Sequence, residues 1–396
     1  MKSKLALGLM AFSALETLQL SACDPGNTGG TDNPPPAATY TVGGNVSGLS
    51  GGAVVLSLNG QESLPVSAAG SFTFATKIAT GGSYTVTVKT QPSQPPQTCT
   101  VMSGTGTVAS ANVSNVSVAC SKNAFPIGGT VTGLSGTPVV LQNNGGDDLT
   151  VNADGTFTFQ TPVASGATYA VTVKTQPLQG TTKLCTVTQD TGTVSSGAVT
   201  SVTVNCTTPM TCKAIKDAVS AAVDGDYMID PDGPGTLSAI TAFCDMTTDG
   251  GGYTEYAVKG TGISTTRYDQ QNSCTAVGLK MVVARSKAHM GAMIAKYGNT
   301  YFATVPGVYG LAAGGYTNCV MNSKDATCAA NWKSIDGGAW WARDTKHSEP
   351  NGDYTPGCWL GTYTPVLDGN GDIGFNDANC TYATGTSYIC SDNAKP

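Results

Sequence analysis

Four oxygen-bearing side chains near the carboxyl end of the chain have the chemistry of a calcium site. Glu349 and Asn351 flank Pro350, and the neighbours Asn376 and Asp377 follow further along the chain. Two carboxylates and two amide carbonyls are hard oxygen donors, and Ca²⁺ is coordinated by oxygens of this kind in a flexible shell. The residue types and their grouping predict a calcium site formed by these four side chains.

The same segments also have the composition of turns. The chain reads EPNGD from Glu349 to Asp353 and DGNGD from Asp368 to Asp372. Pro, Asn, Asp and Gly dominate turns because each favours or tolerates the dihedral angles that turns require. Metal-free turns are therefore the alternative interpretation of both segments.

The order of these residues, together with the cysteines around them, resembles the C-type lectin-like family. That family has an EPN tripeptide, which matches Glu349 to Asn351, and a later WND tripeptide, which here reads Phe375-Asn376-Asp377. Cys358, Cys380 and the run Tyr388-Ile389-Cys390 stand where the family has its later cysteines and its closing strand. The resemblance implies one calcium ion that accepts two neighbouring hydroxyls of a sugar of the mannose or glucose type.

Two positions depart from the family pattern. Phe375 replaces the usual Trp, and Pro356 and Gly357 stand where an acidic calcium ligand usually precedes the cysteine. Asp353 is the nearest acidic residue that could take that role. Many members of the family lack calcium, so these departures keep a metal-free domain open as the alternative.

Trp341 and His347 are the further candidates for ligand contact. Trp340 and Trp341 precede Glu349, and an indole can stack on the face of a sugar ring. Burial in the core is the alternative, and it is the preferred interpretation for at least one of the two. His347 lies two residues before Glu349. The other histidine, His289, is expected in solvent or at the edge of a helix, and zinc is not expected because disulfides account better for the cysteines.

Composition restricts the classes of function. Of the 396 residues 12% are charged, against about 25% in average soluble domains, and the net charge is −6. An acidic chain without a basic run is not expected to bind nucleic acid. No nucleophile accompanied by an acid–base group stands out in the sequence, so no enzyme activity is expected.

The amino-terminal segment predicts export. Lys2 and Lys4 precede a short apolar run from Leu5 to Leu15, which is typical of a signal peptide and too short for a membrane span. The run is followed by Leu20-Ser21-Ala22-Cys23, which resembles a bacterial lipoprotein signal and implies lipid attachment at Cys23. An ordinary secretory signal is the alternative. We expect a signal peptide over 1–22, a Pro/Gly-rich tether over 23–38, and anchoring at a bacterial cell surface or outer membrane.

Residues 39–121 and 124–207 form a tandem repeat. The run Tyr84 to Pro92 recurs at Tyr169 to Pro177, and GSFTF at Gly70 recurs as GTFTF at Gly155. Polar and apolar residues alternate in these runs, which is the period of half-buried strands. Several short strands in each repeat predict two all-β, immunoglobulin-like sandwiches. A spacer or stalk is the preferred role for them, and glycan binding is the alternative.

Cysteine usage indicates an oxidising compartment. The chain has 13 cysteines, and setting Cys23 aside leaves an even number for pairing. Each repeat carries two cysteines at equal spacing. This arrangement predicts the disulfides Cys99–Cys120 and Cys185–Cys206.

The last region, 210–396, opens with a second resemblance. Residues 212–254 read CKAI, then YMIDPDG, then CDMTTDGGGYT, and this order resembles the entry of fibrinogen-like and intelectin-like domains, with Tyr253 in place of the usual Trp. We expect a short helix, a strand, an Asp-Pro-Asp-Gly turn and a second strand, stapled by Cys212–Cys244. The glycines before Tyr253 are expected to form a turn beside the core.

The lectin-like resemblance covers 274–390. It implies the pairs Cys274–Cys390 and Cys358–Cys380 and leaves Cys319–Cys328 as a local pair, whereas the sequence alone allows about 105 pairings of eight cysteines. The run from Arg285 to Tyr297 has helical spacing, with Met290 and Met293 on one side. An α+β, disulfide-rich domain is therefore expected after the two repeats, sharing one core with the entry segment.

Together these features favour a surface-anchored, calcium-dependent carbohydrate-binding protein that recognises a glycan or surface polysaccharide. The alternative is a metal-free structural or adhesive envelope lipoprotein that binds protein partners.

Overall fold

The computed structural model describes residues 36–259, 265–298, 308–310, 320–346, 359–367, 370–378, 383–385 and 387–394. For residues 265–270, 309–310, 331, 359–367, 373–378 and 383–385 it describes the backbone only. The chain is mostly β-sheet, arranged in many sheets, and four disulfides join described cysteines. No helix in these ranges is long and apolar enough to cross a membrane.

The first repeat contains ten strands: β1 (Thr39–Tyr40), β2 (Val42–Ser47), β3 (Val54–Leu58), β4 (Glu62–Val66), β5 (Gly70–Thr73), β6 (Ile78–Ala79), β7 (Ser83–Thr90), β8 (Gln97–Met102), β9 (Thr105–Thr107) and β10 (Val113–Lys122). The second repeat contains their counterparts: β11 (Ala124–Phe125), β12 (Ile127–Thr132), β13 (Val139–Asn143), β14 (Asp147–Val151), β15 (Gly155–Thr158), β16 (Val163–Ala164), β17 (Thr168–Thr175), β18 (Leu184–Thr188), β19 (Thr191–Thr193) and β20 (Val199–Thr207).

Both repeats have the same sheet topology. The first has two four-stranded sheets, ordered β5-β2-β10-β8 and β4-β3-β7-β9, and the second has β15-β12-β20-β18 and β14-β13-β17-β19. In each repeat an early strand pairs in parallel with the last strand, β2 with β10 and β12 with β20. The sequence repeat is therefore a repeat of structure.

Alternation along the strands decides which side chains form the core. In β7 Tyr84 and Val86 are buried and their neighbours are exposed, as the period of two requires. Residues from both four-stranded sheets join one buried cluster in each repeat. Within it Phe72 and Phe74 meet edge to face at 5.8 Å, and Phe157 and Phe159 repeat this contact at 5.7 Å.

The predicted disulfide of each repeat is confirmed. Cys99 lies opposite Cys120 on β8 and β10, and Cys185 lies opposite Cys206 on β18 and β20. Each bridge joins the last strand of its repeat to the strand beside it. A cross-link of this kind typically contributes about 2–4 kcal/mol.

The third region begins with the predicted helix and strands. It contains α1 (Cys212–Ala218), β21 (Gly225–Ile229), β22 (Ile240–Asp245), a 3₁₀ turn (Thr248–Gly250) and β23 (Tyr253–Val258). Thr211 caps α1 by accepting a hydrogen bond from the Ala214 N–H at 3.0 Å. The Cys212–Cys244 disulfide joins α1 to β22. Gly251 and Gly252 have φ values of 81° and 99°, so a side chain there would be strained, and they bring the chain round to buried Tyr253.

The remaining elements are short: β24 (Thr265–Thr266), α2 (Arg267–Thr275), β25 (Lys280–Met281), α3 (Lys287–Tyr297), β26 (Val308–Gly310), β27 (Val320–Asn322), α4 (Ala326–Asn331), β28 (Trp332–Ser334), β29 (Trp341–Lys346), β30 (Trp359–Leu367), β31 (Ile373–Ala378), β32 (Ala383–Gly385) and β33 (Tyr388–Ser391). The predicted helix is confirmed as α3, which begins at Lys287 because Ser286 is its cap. Met290 and Met293 of α3 are buried.

One sheet contains strands of both the entry segment and the closing segment. Its order is β21-β22-β23-β33-β25, with Cys390 of β33 opposite Tyr256 on one side and Met281 on the other. The predicted Cys274–Cys390 bridge is confirmed and ties α2 to the same strand. Cys328 is also disulfide-bonded, whereas Cys319, Cys358 and Cys380 lie outside the described residues.

Candidate functional site

The structure describes only some of the residues that are predicted to bind calcium. Glu349, Asn351 and His347 lie outside the described residues, as does the predicted lipid-attachment residue Cys23. Asn376 and Asp377 lie on β31, which the structure describes at the level of the backbone. There they pair with Gly361 and Leu360 of β30.

Trp341 lies at a cavity of about 230 Å³ between the start of α3 and the strands β27 and β29. The cavity is lined by both indoles of the Trp340–Trp341 pair, by Asn322 and Asp344, and by the cationic residues Arg285, Lys287 and Lys324. Trp340 and Trp341 are 3% and 5% exposed, so both belong to the core cluster. Trp341 is therefore not an exposed stacking platform, although it borders the cavity.

Asp344 organises the polar wall of this cavity. Its Oδ1 accepts hydrogen bonds from the Trp341 Nε1–H at 2.8 Å and from the Asn322 Nδ2–H at 3.4 Å. The Asp344 N–H donates to Asp372 Oδ1 at 3.1 Å. The indole, the amide and the carboxylate are thus held in one network that borders open space.

Asp372 is a fully buried carboxylate behind that network. It accepts hydrogen bonds from the Thr345 N–H at 3.1 Å and the Thr345 hydroxyl at 2.6 Å. Lys287 Nζ lies 3.8 Å from its Oδ1, and an Arg343 nitrogen lies 3.7 Å from its Oδ2. These contacts attach the 370–372 turn to β29 and to the first turn of α3, since a buried charge requires paired and hydrogen-bonded neighbours.

A buried ion pair supports the wall of the cavity near Ala339. Arg285 pairs with Asp336, and its guanidinium also donates to the Asn393 carbonyl at 2.9 Å. Burial alone would raise the pKa of Asp336, but hydrogen bonds from Arg285 and from the Gly338 N–H outweigh it and hold that pKa below its ordinary value. Asp336 is thus ionised at neutral pH, and Arg285 is fixed in place.

The chemistry of this cavity suits recognition of a small polar molecule. Its apolar walls are two indoles, and its polar groups include one amide, one carboxylate and three cationic side chains. Small-molecule sites commonly combine apolar walls with a few fixed polar groups of this kind. Within the described ranges no group of three or more His, Cys, Asp or Glu residues is placed to hold a metal ion.

Of the two placements expected for His289, the one in solvent is wrong. His289 is 1% exposed and stacks on the Tyr253 ring with centroids 3.6 Å apart. Its Nδ1 accepts the Arg285 N–H at 3.3 Å. Burial, and the hydrogen bond from its hydroxyl to Asp249, raise the pKa of Tyr253. The glycine-rich turn thus places the Tyr253 ring against α3, where it packs on His289.

Sequence reasoning missed the network around Asp344 and Asp372. The DGNGD run has the composition of a turn, and this composition gives no indication that its last residue, Asp372, is buried. The run from Trp341 to Lys346 reads WARDTK, with its apolar residues first and its polar residues after them, so it lacks the alternation that indicates a strand with one polar face. No sequence signal therefore singles out Arg343 and Asp344 or pairs them with residue 372.

Comparison with known proteins yields little. No family model matches the chain, and no curated protein sequence matches it. Among solved structures, the Bacillus anthracis TIE protein gives a TM-score of 0.27 at 11% identity, over 55% of this chain and 44% of that chain. The matched part of the chain thus spans less than half the length of that protein, and a likeness at this TM-score carries no argument about fold or function.

Proposed function

We propose that this protein is a surface-anchored, calcium-dependent carbohydrate-binding lipoprotein. The observation that carries the proposal is the order of Glu349-Pro350-Asn351, Asn376-Asp377 and Tyr388-Ile389-Cys390. It is accompanied by the Cys274–Cys390 disulfide, which the resemblance to C-type lectin-like domains implies. Lipid attachment at Cys23 and display at a bacterial surface are parts of the same proposal.

The two repeats serve as a stalk of immunoglobulin-like sandwiches in this proposal. The paired four-stranded sheets around one core in each repeat support that fold. The stalk begins after the tether over 23–38. Its role is to hold the lectin-like region of 210–396 away from the membrane.

Calcium would be held by Glu349, Asn351, Asn376 and Asp377. Two carboxylates and two amides are a donor set that fits Ca²⁺, because this ion prefers oxygen ligands from carboxylates and carbonyls. The bound ion would supply two coordination positions to neighbouring sugar hydroxyls. His347 would contact the same sugar.

The cavity beside Trp341 supports an extended site. Asn322 and Asp344 offer hydrogen bonds to hydroxyls, and the buried indole of Trp341 offers an apolar wall. Carboxylate and amide groups held by their own networks bind polar ligands well, because little ordering is needed on binding. A second sugar unit of the glycan would occupy this cavity.

The proposal is tested by glycan-array binding of the full mature chain, in calcium and again in a chelator. We expect binding in calcium that disappears in the chelator. Glu349→Ala should abolish sugar retention without unfolding the domain, because it removes a charged ligand from the ion. Asp217→Ala, which removes an exposed carboxylate on α1, is the matched control and should leave retention unchanged.

A thermal melt provides the second readout. Calcium that binds the native state alone raises the melting temperature, and the shift should be absent in Glu349→Ala. Binding that persists in the chelator would contradict the calcium mechanism. An absence of glycan binding in both conditions would favour the structural or adhesive alternative.

A further inference from the structure

A second cavity, of about 440 Å³, lies between the sheet of the entry segment and helix α3. Asp224, Asp245 and Glu255 contribute three carboxylates to its lining, and Phe243 contributes an aromatic ring. Ala292 lines the helix side with a small side chain, which leaves the space open. This cavity shares no lining residue with the one beside Trp341.

Strand register places the acidic and aromatic groups together. Phe243 on β22 lies opposite Asp226 of β21 on one side and opposite Glu255 of β23 on the other. Directly opposed residues on antiparallel strands share a face of the sheet. The ring of Phe243 is therefore flanked by carboxylates across the sheet, on the face that α3 covers.

Two of the lining carboxylates are fixed by their own hydrogen bonds. Asp224 accepts the Met246 N–H at 2.7 Å and the Thr247 hydroxyl at 3.1 Å. Asp245 Oδ1 accepts the Thr248 N–H at 2.8 Å. Burial alone would raise the pKa of Asp245, but hydrogen bonds from Thr248 and Thr247 outweigh it and hold the pKa below its ordinary value. Negative charge is thus held at the cavity wall.

Glu255 differs from Asp224 and Asp245 in its hydrogen bonding. The residue is 2% exposed, and its Oε2 is buried without a hydrogen-bond partner among the described residues. His289 faces Glu255, with its Nε2 3.7 Å from Oε1, and this Nε2 also lacks a hydrogen-bond partner there. A buried carboxylate oxygen without a hydrogen-bond partner costs free energy, so Glu255 keeps at Oε2 an acceptor that no described group satisfies.

The cavity already accommodates an ammonium group. Lys296 reaches back from α3 and places Nζ 3.3 Å from the centroid of the Phe243 ring. Contacts between an ammonium and the face of a ring are worth about 0.5–1 kcal/mol when exposed. Lys296 is itself an exposed residue, so an external cation can displace its ammonium at small cost.

We propose that this cavity is a binding site for a primary alkylammonium group, with Phe243 as its aromatic wall and Glu255 as its charged acceptor. The ammonium donates a hydrogen bond to Glu255 Oε2, the oxygen for which the described residues supply no partner. Asp224 and Asp245 add attraction without moving. Lysine side chains and amino sugars both present this group, and the two sources are separated by the test below.

The test uses the full mature chain in a chelator, so that its outcome is independent of the proposed calcium site. Ligand-observed NMR titration compares propylammonium with 1-propanol, which has a similar size and no charge. We expect saturable binding of propylammonium and no binding of propanol. A lysine site binds Nα-acetyl-lysine amide more tightly than propylammonium, whereas an amino-sugar site binds glucosamine more tightly.

Two variants test whether propylammonium binds in this cavity. Glu255→Gln should weaken propylammonium binding about tenfold or more, because it removes a charge-assisted hydrogen bond. Lys296→Met should strengthen binding about two- to fivefold, because it removes the competing internal ammonium. Lys89→Met, a change of an exposed lysine in the first repeat, is the matched control.

Melting curves establish that each variant is folded. Lys296 is exposed, so Lys296→Met tests the site even where Glu255→Gln does not fold. Equal binding of propanol and propylammonium would overturn the proposal. Propylammonium binding that neither Lys296→Met nor Glu255→Gln changes would overturn it as well.

Discussion

Burial distinguishes two ion pairs of the same charge types. Arg285 and Asp336 pair with side-chain exposures of 3% and 13%, whereas Lys213 and Asp217 pair on the surface of α1 with exposures of 39% and 63%. Removing one partner of a buried pair leaves a charge without compensation, whereas exposed pairs contribute little. The same chemical change is therefore expected to have different consequences at the two sites.

Asp336→Ala should destabilise the third region by about 3–5 kcal/mol at neutral pH, because Arg285 would remain buried without its carboxylate. The pKa of Asp336 is lowered in the fold, so its contribution is present above the ordinary value of 3.8. The contribution is lost as the pH falls through the lower folded value. Differential scanning calorimetry at pH 7 and near pH 3 measures both effects.

Asp217→Ala is the matched control for this prediction. It removes the exposed partner of Lys213, and we expect a change under about 1 kcal/mol. Similar destabilisation by the two substitutions would show that burial of the Arg285 pair has no energetic consequence. A loss for Asp336→Ala that stays constant across the pH range would contradict the lowered pKa.

At the scale of elements, the parallel pairing in each repeat depends on a glycine. Gly129 of β12 faces β20 so closely that a Cβ atom would stand 1.7 Å from the Val202 carbonyl oxygen. Gly44 of β2 has the same relation to Val116, also at 1.7 Å. Both pairs lie beside a shift in strand register. The glycines therefore allow the first long strand of each repeat to pack against the last.

Gly129→Ala should destabilise the second repeat by about 2–3 kcal/mol, because backbone rather than a flexible side chain would have to move. Gly44→Ala should do the same to the first repeat. Hydrogen exchange of the amides of β12 and β20 in the full chain locates the effect.

Gly197→Ala in the second repeat is the control, because no atom lies within 4 Å of the added Cβ. Unchanged hydrogen-exchange protection of β12 and β20 in Gly129→Ala would mean that the two strands accommodate the added methyl group without loss of stability. That result would contradict the close approach of Gly129 and Val202.

At the scale of the whole molecule, the third region is closed by contacts between distant parts of the sequence. β23 and β33 are neighbours in one sheet, and the Cys274–Cys390 bridge spans 116 residues. Thr254 adds a further link, since its hydroxyl donates to Asp392 at 2.7 Å and accepts the Cys212 N–H at 3.1 Å. The entry segment thus folds against the carboxyl-terminal strand, and both need the intervening chain.

Replacing Cys274 and Cys390 together by Ala should destabilise the third region by about 5 kcal/mol, since a longer loop gains more chain entropy when it is released. Replacing Cys185 and Cys206, which are 21 residues apart, should cost the second repeat about 3 kcal/mol. Calorimetry of the full chain compares the two transitions. An equal loss of stability in the third region and the second repeat, or a loss confined to the second repeat, would contradict the role of the Cys274–Cys390 bridge.

The sequence by itself determined the features that depend on local pattern. Alternation in YTVTV, which begins at Tyr84, and in its counterpart YAVTV, which begins at Tyr169, predicted β7 and β17, because the side-chain period of a strand is a property of the backbone. The repeat predicted two copies of one topology, and equal cysteine spacing predicted Cys99–Cys120 and Cys185–Cys206. Helical spacing predicted α3, and its capping residue Ser286 accounts for the two-residue difference at its start.

Only the tertiary structure decided which polar residues are buried and what they meet. The sequence leaves open whether His289 lies in solvent or packs at the helix edge, and it is buried against Tyr253 because α3 packs on a strand far away in sequence. Asp372 in a turn-like run is buried beside Thr345, and the Oε2 of Glu255 in a β-strand has no hydrogen-bond partner among the described residues. Burial depends on neighbours supplied by other elements, and no local pattern specifies those neighbours. The proposed alkylammonium cavity follows from such neighbours, whereas the proposed calcium ligands follow from sequence order.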